Sequence, residues 1–387
     1  MQKHIDRRKA KTKVNKIAKA TTRRRFLKRG AVAAAGVTLA FPQISRAQIM
    51  TLKMQTSWGS GDIYQDMARQ YVERVEAISG GHLKINLFTG GAVVKSFQLQ
   101  EAVHKGVLDG AHQVTAYWYG KHKAASLFGT GPVFGANASQ ILAWIHRGGG
   151  KELYRELVQD ILKLNLVGFF TNPFPTQPLG WFKEEIKSAD QLKGLKYRTV
   201  GLAADVMQGM GLEVVQLPGS GIIPALKRGV IEAFEYANPT SDRELGAQDV
   251  SKTYMMGSYH QPAEFFEIIF NKDKFESLPK KYQAILEHGA EAVSTANYAL
   301  AIDRHSKDLD ALITKDGVNV YRTPQSVMDE QLKSWDKVLT QLTKDPFFKK
   351  VVDSQKAWSR RVAFYDLMNT ADYKRAYKHY FPDRITF

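Results

Sequence analysis

No cysteine occurs in the 387 residues. That excludes thiol nucleophiles, cysteine-type zinc sites and disulfides together, and leaves the core alone to hold the fold. No stretch approaches the roughly eighteen consecutive apolar residues that a membrane-spanning helix needs. Catalytic signatures are missing as well. Ser60 and Ser220 each lie between glycines, but neither has Gly two residues before it and two after it, so there is no nucleophile elbow. The loop Gly129-Thr130-Gly131-Pro132-Val133-Phe134-Gly135 is one residue too long for a dinucleotide turn, and Gly150-Lys151-Glu152 lacks the Ser or Thr of a nucleotide loop. The ten histidines show no zinc spacing; His104, His112 and His122 read as surface or core-edge residues. These absences argue against an enzyme and against an organic cofactor.

The body also lacks a strong charge of one sign, although the chain as a whole carries +17. Of its 55 Lys and Arg, fourteen lie in residues 1–47 beside a single acid, Asp6; the remaining 41 bases and 37 acids nearly cancel. A balanced body excludes nucleic acid as the partner. The basic head has its own layout: Thr22-Arg23-Arg24-Arg25-Phe26-Leu27-Lys28, an apolar run over 31–41, then Ser45-Arg46-Ala47. Paired arginines, a short weakly apolar core and small residues before a cut form a twin-arginine signal peptide, expected to be cleaved after Ala47. The mature chain is then expected in the periplasm.

What is present is an alternation of strands and helices. Residues 50–56 alternate as a strand, and Tyr64, Met67, Tyr71, Val75 and Ile78 recur at helical spacing before Gly80-Gly81. Leu83, Ile85 and Leu87 make a second strand, and 97–105 a helix stopped by Gly106, with a strand expected over 107–111. This helix-Gly-strand unit, Ala102 to Ala111, can be laid without a gap on Ala225 to Phe234. Either the match reflects a common construction, or two related lobes face a shared cleft. Between the copies, 139–164 reads as helix broken at Gly148-Gly149-Gly150, and 166–170 as a buried strand. Three prolines in Pro173-Phe174-Pro175-Thr176-Gln177-Pro178 favour an extended crossing, and Tyr259-His260-Gln261-Pro262 suggests a second. A return strand over 265–270, a long helix over 279–312 and amphipathic helices over 324–387 with a tyrosine-rich tail complete the chain. The fold class is α/β, with largely parallel sheets expected in two lobes.

Arg198 is the focal residue. It stands near the end of a short strand between two helical segments, where an α/β sheet presents side chains to its crevice. Its planar fork suits a carboxylate, and Arg198→Ala is expected to abolish binding without disturbing the fold. Gln177, Glu235, Asn238 and Gln261 are oxygen donors near the crossings, a set that suits sodium or calcium if a metal is bound. Trp58, Tyr117 and Trp118 are candidates to exclude water. The acid at Glu235 needs a partner, for which Arg198 or a cation would serve.

Residues 50 to about 345 resemble the periplasmic solute-binding subunits of tripartite ATP-independent periplasmic (TRAP) transporters. The resemblance rests on Gly180-Trp181-Phe182, the run Asp190 to Arg198, Leu217-Pro218, Ala225-Leu226-Lys227-Arg228-Gly229 and Glu235-Tyr236-Ala237-Asn238-Pro239. It implies a two-lobed periplasmic binding protein fold with a hinge and a long C-terminal helical region. Lobe I would be 48–172 with about 262–322, lobe II 173–261, and the C-terminal helices 323–387. The implied function is delivery of a small carboxylate, an α-keto or hydroxy acid, to the membrane permease of the transporter. Arg198 would hold the carboxylate, with Gln177, Glu235, Tyr236, Trp58 and Tyr117 around it. A bridging sodium or calcium ion would be held by Gln177, Glu235, the backbone of Tyr236 and Gln261. Gln261 stands where that branch commonly has Glu, one carboxylate fewer, which favours sodium; Tyr236 stands where Trp or Phe is frequent. Such proteins can form a homodimer through their last helices. An exported enzyme, or a receptor for a dicarboxylate or an amino acid, are the competing readings.

Overall fold

The structure, a computed structural model, describes residues 49–383; the expected export signal lies outside the described residues. The strands, in chain order, are β1 (Met50–Thr56), β2 (Leu83–Phe88), β3 (Gly110–Gln113), β4 (Leu166–Phe174), β5 (Gly180–Phe182), β6 (Lys196–Arg198), β7 (Glu213–Val215), β8 (Ala233–Phe234), β9 (Thr253–Met256), β10 (Glu264–Asn271) and β11 (Asn319–Arg322). The helices are α1 (Ile63–Ile78), α2 (Leu99–His104), α3 (Ala138–Arg147), α4 (Gly150–Arg155), α5 (Leu202–Gly209), α6 (Ile222–Lys227), α7 (Pro239–Leu245), α8 (Lys272–Ser277), α9 (Lys280–Thr314), α10 (Gln325–Leu342), α11 (Pro346–Asn369) and α12 (Tyr373–Tyr380). Among the described residues no helix is long and apolar enough to cross a membrane.

Two sheets define two lobes, ordered β2-β1-β3-β10-β4 and β11-β9-β5-β8-β6-β7. Apolar positions at helical spacing on α1, Tyr71 and Val75, cover Leu52, Met54 and Ile85 of the first sheet, and Leu286 and Val293 of α9 join them. In the second sheet, Trp181, Phe234 and Tyr254 close on Leu312 from the far end of α9.

The sheets are largely parallel, as expected, but each is mixed through one reversed strand. In the first, β10 runs against both β3 and β4; in the second, β5 runs against both β8 and β9. Each reversed strand is the one that arrives from the other lobe. The links from β4 to β5 and from β9 to β10, which bring these strands in, contain no helix. A correction concerns β11. Residues 319–322, assigned from sequence to the first lobe, pair with β9 in the second sheet after α9 has carried the chain across.

The two helix-Gly-strand units match in geometry. Gly106 and Gly229 leave their helices at φ +72° and +71°. Val107 N–H donates to Ala102 O and Val230 N–H to Ala225 O, each at 2.9 Å, the same helix-ending bond. The strands that follow begin at equivalent positions, Gly110 and Ala233, so the strand expected over 107–111 starts three residues late and 107–109 form the exit turn. Each pairs in parallel with an earlier strand of its sheet, β3 with β1 and β8 with β6. The second copy delivers Glu235 to the cleft, next to Arg198.

Candidate functional site

Arg198 ends β6 and is 1% exposed. Its Nε and Nη2 donate to Leu217 O at 2.8 and 2.6 Å, and Nη1 donates to both the backbone O and the Oε1 of Glu235, at 2.8 and 3.0 Å. A guanidinium has five N–H hydrogens, so one, on Nη2, is left for a ligand. The fork expected to grip a carboxylate with two bonds is thus largely used by the protein, which fixes the orientation of the charge. The ion pair also corrects the expectation that Arg198 can be removed without cost to the fold: Glu235 is fully buried and would lose its counter-charge.

A cavity of about 20 Å³, room for about one water, lies against Arg198, walled by Gln177 and Glu264 on its polar side and by Trp58, Tyr117 and Tyr236 among its aromatics. Of the residues singled out in the sequence, Arg198, Gln177, Tyr236, Trp58 and Tyr117 meet at this wall, and Glu235 stands behind Arg198. Gln261 does not line it. Its backbone carbonyl accepts from Gln177 N–H at 3.0 Å, which fixes one crossing against the other. Asn238 is the N-cap of α7, accepting from Ser241 N–H, and Trp118 donates to Glu267 in the first lobe's core. Both are structural.

Glu264 was missed. It accepts from Gln177 Nε2 at 2.6 Å, and its other oxygen, Oε1, has no partner. The signal was available: a carboxylate two residues after Pro262 opens β10, every residue of which is buried. Reading only the apolar run that follows hid it. Its presence restores the protein carboxylate whose absence at Gln261 had favoured sodium.

Burial dominates the ionisation of these acids. It pushes Glu235 up to about 7 against the pull of Arg198, and Thr199 lies beside that carboxylate without completing a hydrogen bond to it. Burial and the neighbouring Glu235 raise Glu264 well above the usual range, again opposed by Arg198. Gln177 Oε1, Glu235 Oε2 and Glu264 Oε1 are all buried oxygens without hydrogen-bond partners. Unsatisfied oxygen acceptors of this kind are costly unless something with positive charge meets them. An all-oxygen set with two carboxylates fits a hard cation, sodium or calcium. On the opposite wall, Trp58 Nε1 donates to His112 Nδ1 at 2.8 Å, which fixes its ring over the cavity.

Two lobes closing on a buried arginine and a small polar cavity define a receptor for a small anion. The sequence matches the family described as "Bacterial extracellular solute-binding protein, family 7" over residues 54–350, and the chain belongs to that family as a TRAP transporter solute-binding protein. It is 31% identical to a monocarboxylate 2-oxoacid-binding periplasmic protein from Nostoc sp. over 83% of this chain and 87% of that one. A TRAP solute-binding protein from Bordetella bronchiseptica RB50 superposes with a TM-score of 0.80 at 30% identity, covering 86% of this chain and 97% of that one; it is a mixed-occupancy dimer with copurified calcium and picolinate in one site and the other site apo. One from Pseudoalteromonas atlantica T6c, with bound sodium and pyruvate, superposes at 0.78 and 26% identity, covering 86% and 100%.

Proposed function

We propose that this chain is the periplasmic receptor of a TRAP transporter for a small 2-oxo or 2-hydroxy monocarboxylate, exported by its twin-arginine signal and working as a binding protein and not as an enzyme. The observation that carries the reading is the convergence of one buried, pre-oriented arginine with partnerless buried oxygens of Gln177 and Glu264 at a cavity of about 20 Å³, with a third such oxygen on Glu235 behind the arginine. Arg198 offers charge and one N–H to the ligand carboxylate. Gln177, Glu235, Glu264 and the backbone of Tyr236 would hold a sodium or calcium ion, whose chemistry is to draw in the oxygen on the carbon next to that carboxylate. Pyruvate and picolinate, found with relatives, share a donor atom at that position. No second basic side chain lines the cavity among the described residues, which favours a monocarboxylate over a dicarboxylate.

The lobes divide at the crossings near residues 173–178 and 259–262, where closure would hinge, and ligand would be passed to the membrane permease. The face bearing Phe364, Leu367 and Met368, each at least 64% exposed, would serve as a homodimer seam.

The direct test is the thermal midpoint of the mature protein against pyruvate, lactate, succinate and alanine, each with sodium, calcium or a chelator. Ligand at a hundredfold excess over Kd stabilises by about 2.7 kcal/mol. Shifts with pyruvate and lactate that vanish in chelator without sodium are expected. A shift with succinate or alanine alone would reject the ligand class, and no shift with any acid would reject the receptor reading.

A further inference from the structure

Asp62, near the cavity, is a carboxylate whose donors come from both sides of the cleft. It is the N-cap of α1 in the first lobe, accepting Tyr64 N–H at 3.0 Å through Oδ1. The same oxygen accepts Ser241 Oγ–H at 3.0 Å, and Oδ2 accepts the hydroxyl of Tyr236 at 2.6 Å; both donors belong to the segment that follows β8 in the second lobe. Alongside, Asn238 Nδ2 donates to Tyr64 Oη at 2.9 Å, and Ile63 N–H donates to Glu244 Oε2 at 2.9 Å. The N-terminal turn of α1 is thus tied to α7 and the segment before it by three side-chain bonds and one backbone N–H. Asp62 is 9% exposed and does not line the cavity, so it is not placed to touch a ligand.

We propose that Asp62 and Tyr236 form a cross-cleft latch that holds the closed state and so governs ligand residence time. Asp62 is a positioning residue, acting through Tyr236. Once the lobes part, it keeps only its own helix cap, and water must replace its other two donors. When they close, two hydroxyls reach it at once, in a setting where a buried carboxylate is costly unless fully hydrogen-bonded. The bond also fixes a wall of the site. A Cβ on Gly219 would clash with the Tyr236 ring, and the Arg198 guanidinium lies 5.9 Å from its centroid, so the ring is wedged between them with its hydroxyl pinned to the opposite lobe. Closure and the shape of the wall are set by one contact.

The test uses the absence of native cysteine. Glu73→Cys on α1 and Lys227→Cys on α6, both exposed, take a dye pair that reports the distance between lobes by single-molecule energy transfer. Asp62→Ser keeps a capping side chain but cannot reach across; Tyr236→Phe keeps the ring and loses the hydroxyl. Each is expected to reduce the closed population of the ligand-free protein. Each should also speed pyruvate dissociation by on the order of tenfold in stopped flow with calcium, since a hydrogen bond to a charged group is worth about that factor or more. The double variant is expected to be no faster than Asp62→Ser alone, which already loses the Tyr236 bond. Unchanged ligand-free distances, or rate effects that multiply fully in the double variant, would overturn the latch. The choice of pyruvate as probe rests on the proposed function. If pyruvate fails to bind the wild type, that reading falls while the ligand-free distances still decide the latch.

Discussion

Arg198 spends four of its five hydrogens on Leu217 and Glu235, so its first task is to be a fixed charge. Fixing it in advance removes the entropy a free side chain would lose on meeting its ligand. The cost is a buried ion pair whose halves depend on each other. Arg198→Ala is therefore expected to destabilise the protein by up to about 3–5 kcal/mol at pH 8, where Glu235 must either stay charged in the interior without its partner or take up a proton from solvent. Near pH 5 the loss should shrink, because a Glu235 that already titrates near 7 can be neutral there. Urea unfolding at the two pH values measures both; an equal loss at each would show that the charge of Glu235 is not the cause. Adding Glu235→Gln to Arg198→Ala should recover most of the loss at pH 8.

The longer helices, and the strands that keep a period, were legible in the sequence. β1 and β2 alternate, α1 repeats every three and four residues, and Gly106 and Gly229 mark where two helices must end. Strands of three or four residues without a neighbouring motif carry too little periodicity to be read, which is why β5, β7, β9 and β11 emerged only in the fold. Their direction was equally hidden, because the reversal of β5 and β10 follows from how the chain crosses and not from any residue in them. Glu264 was lost in a different way: the strand was read only over its apolar run, 265–270, and the acid that opens it was left outside. At this scale, too, the end of α11 is informative. Phe364, Tyr365, Leu367 and Met368 are between 64% and 75% exposed, while Phe347, Phe348 and Val351 at the other end of the helix are buried. A chain ending at Ala363 is expected to sediment as a monomer and to keep its thermal midpoint, whereas the full mature chain sediments as a dimer. Two equal sedimentation coefficients would remove these residues from any seam.

Across the molecule the acids near the cleft titrate high together. Asp62 is raised by burial, Glu235 and Glu244 reach about 7, Asp242 about 6, and Glu264 lies well above its usual range. An acid whose folded pKa exceeds its unfolded one penalises the native state when charged, and the penalty lifts as pH falls through the folded pKa toward the unfolded value near 4. Buried histidines pull the other way. Burial holds His112 and His260 near 3 and His305 near 4, so they erode stability only as pH drops below about 6.5. Between pH 8 and 6.5 the acids act alone. The thermal midpoint of the cation-free protein is expected to rise as pH is lowered through that window. Calcium, which needs the carboxylates ionised, should stabilise more at pH 8 than at pH 6.5. A midpoint that falls steadily from pH 8 to 6.5, or a calcium shift indifferent to pH, would contradict the raised values.

α9 runs unbroken for 35 residues, about 52 Å at 1.5 Å per residue. Its first half packs Leu286 and Val293 into the core of the first lobe, and its far end packs Leu312 into that of the second; between them, Thr240 and His305 are hydrogen-bonded at 2.9 Å. A rod anchored in both bodies behaves as a leaf spring. The crossing segments alone would let the lobes swing freely, but any swing must flex the rod or slide a lobe along it. The gape of the receptor is therefore set by the bending stiffness of one helix, and the work of opening is spread along its length instead of concentrated in a pivot.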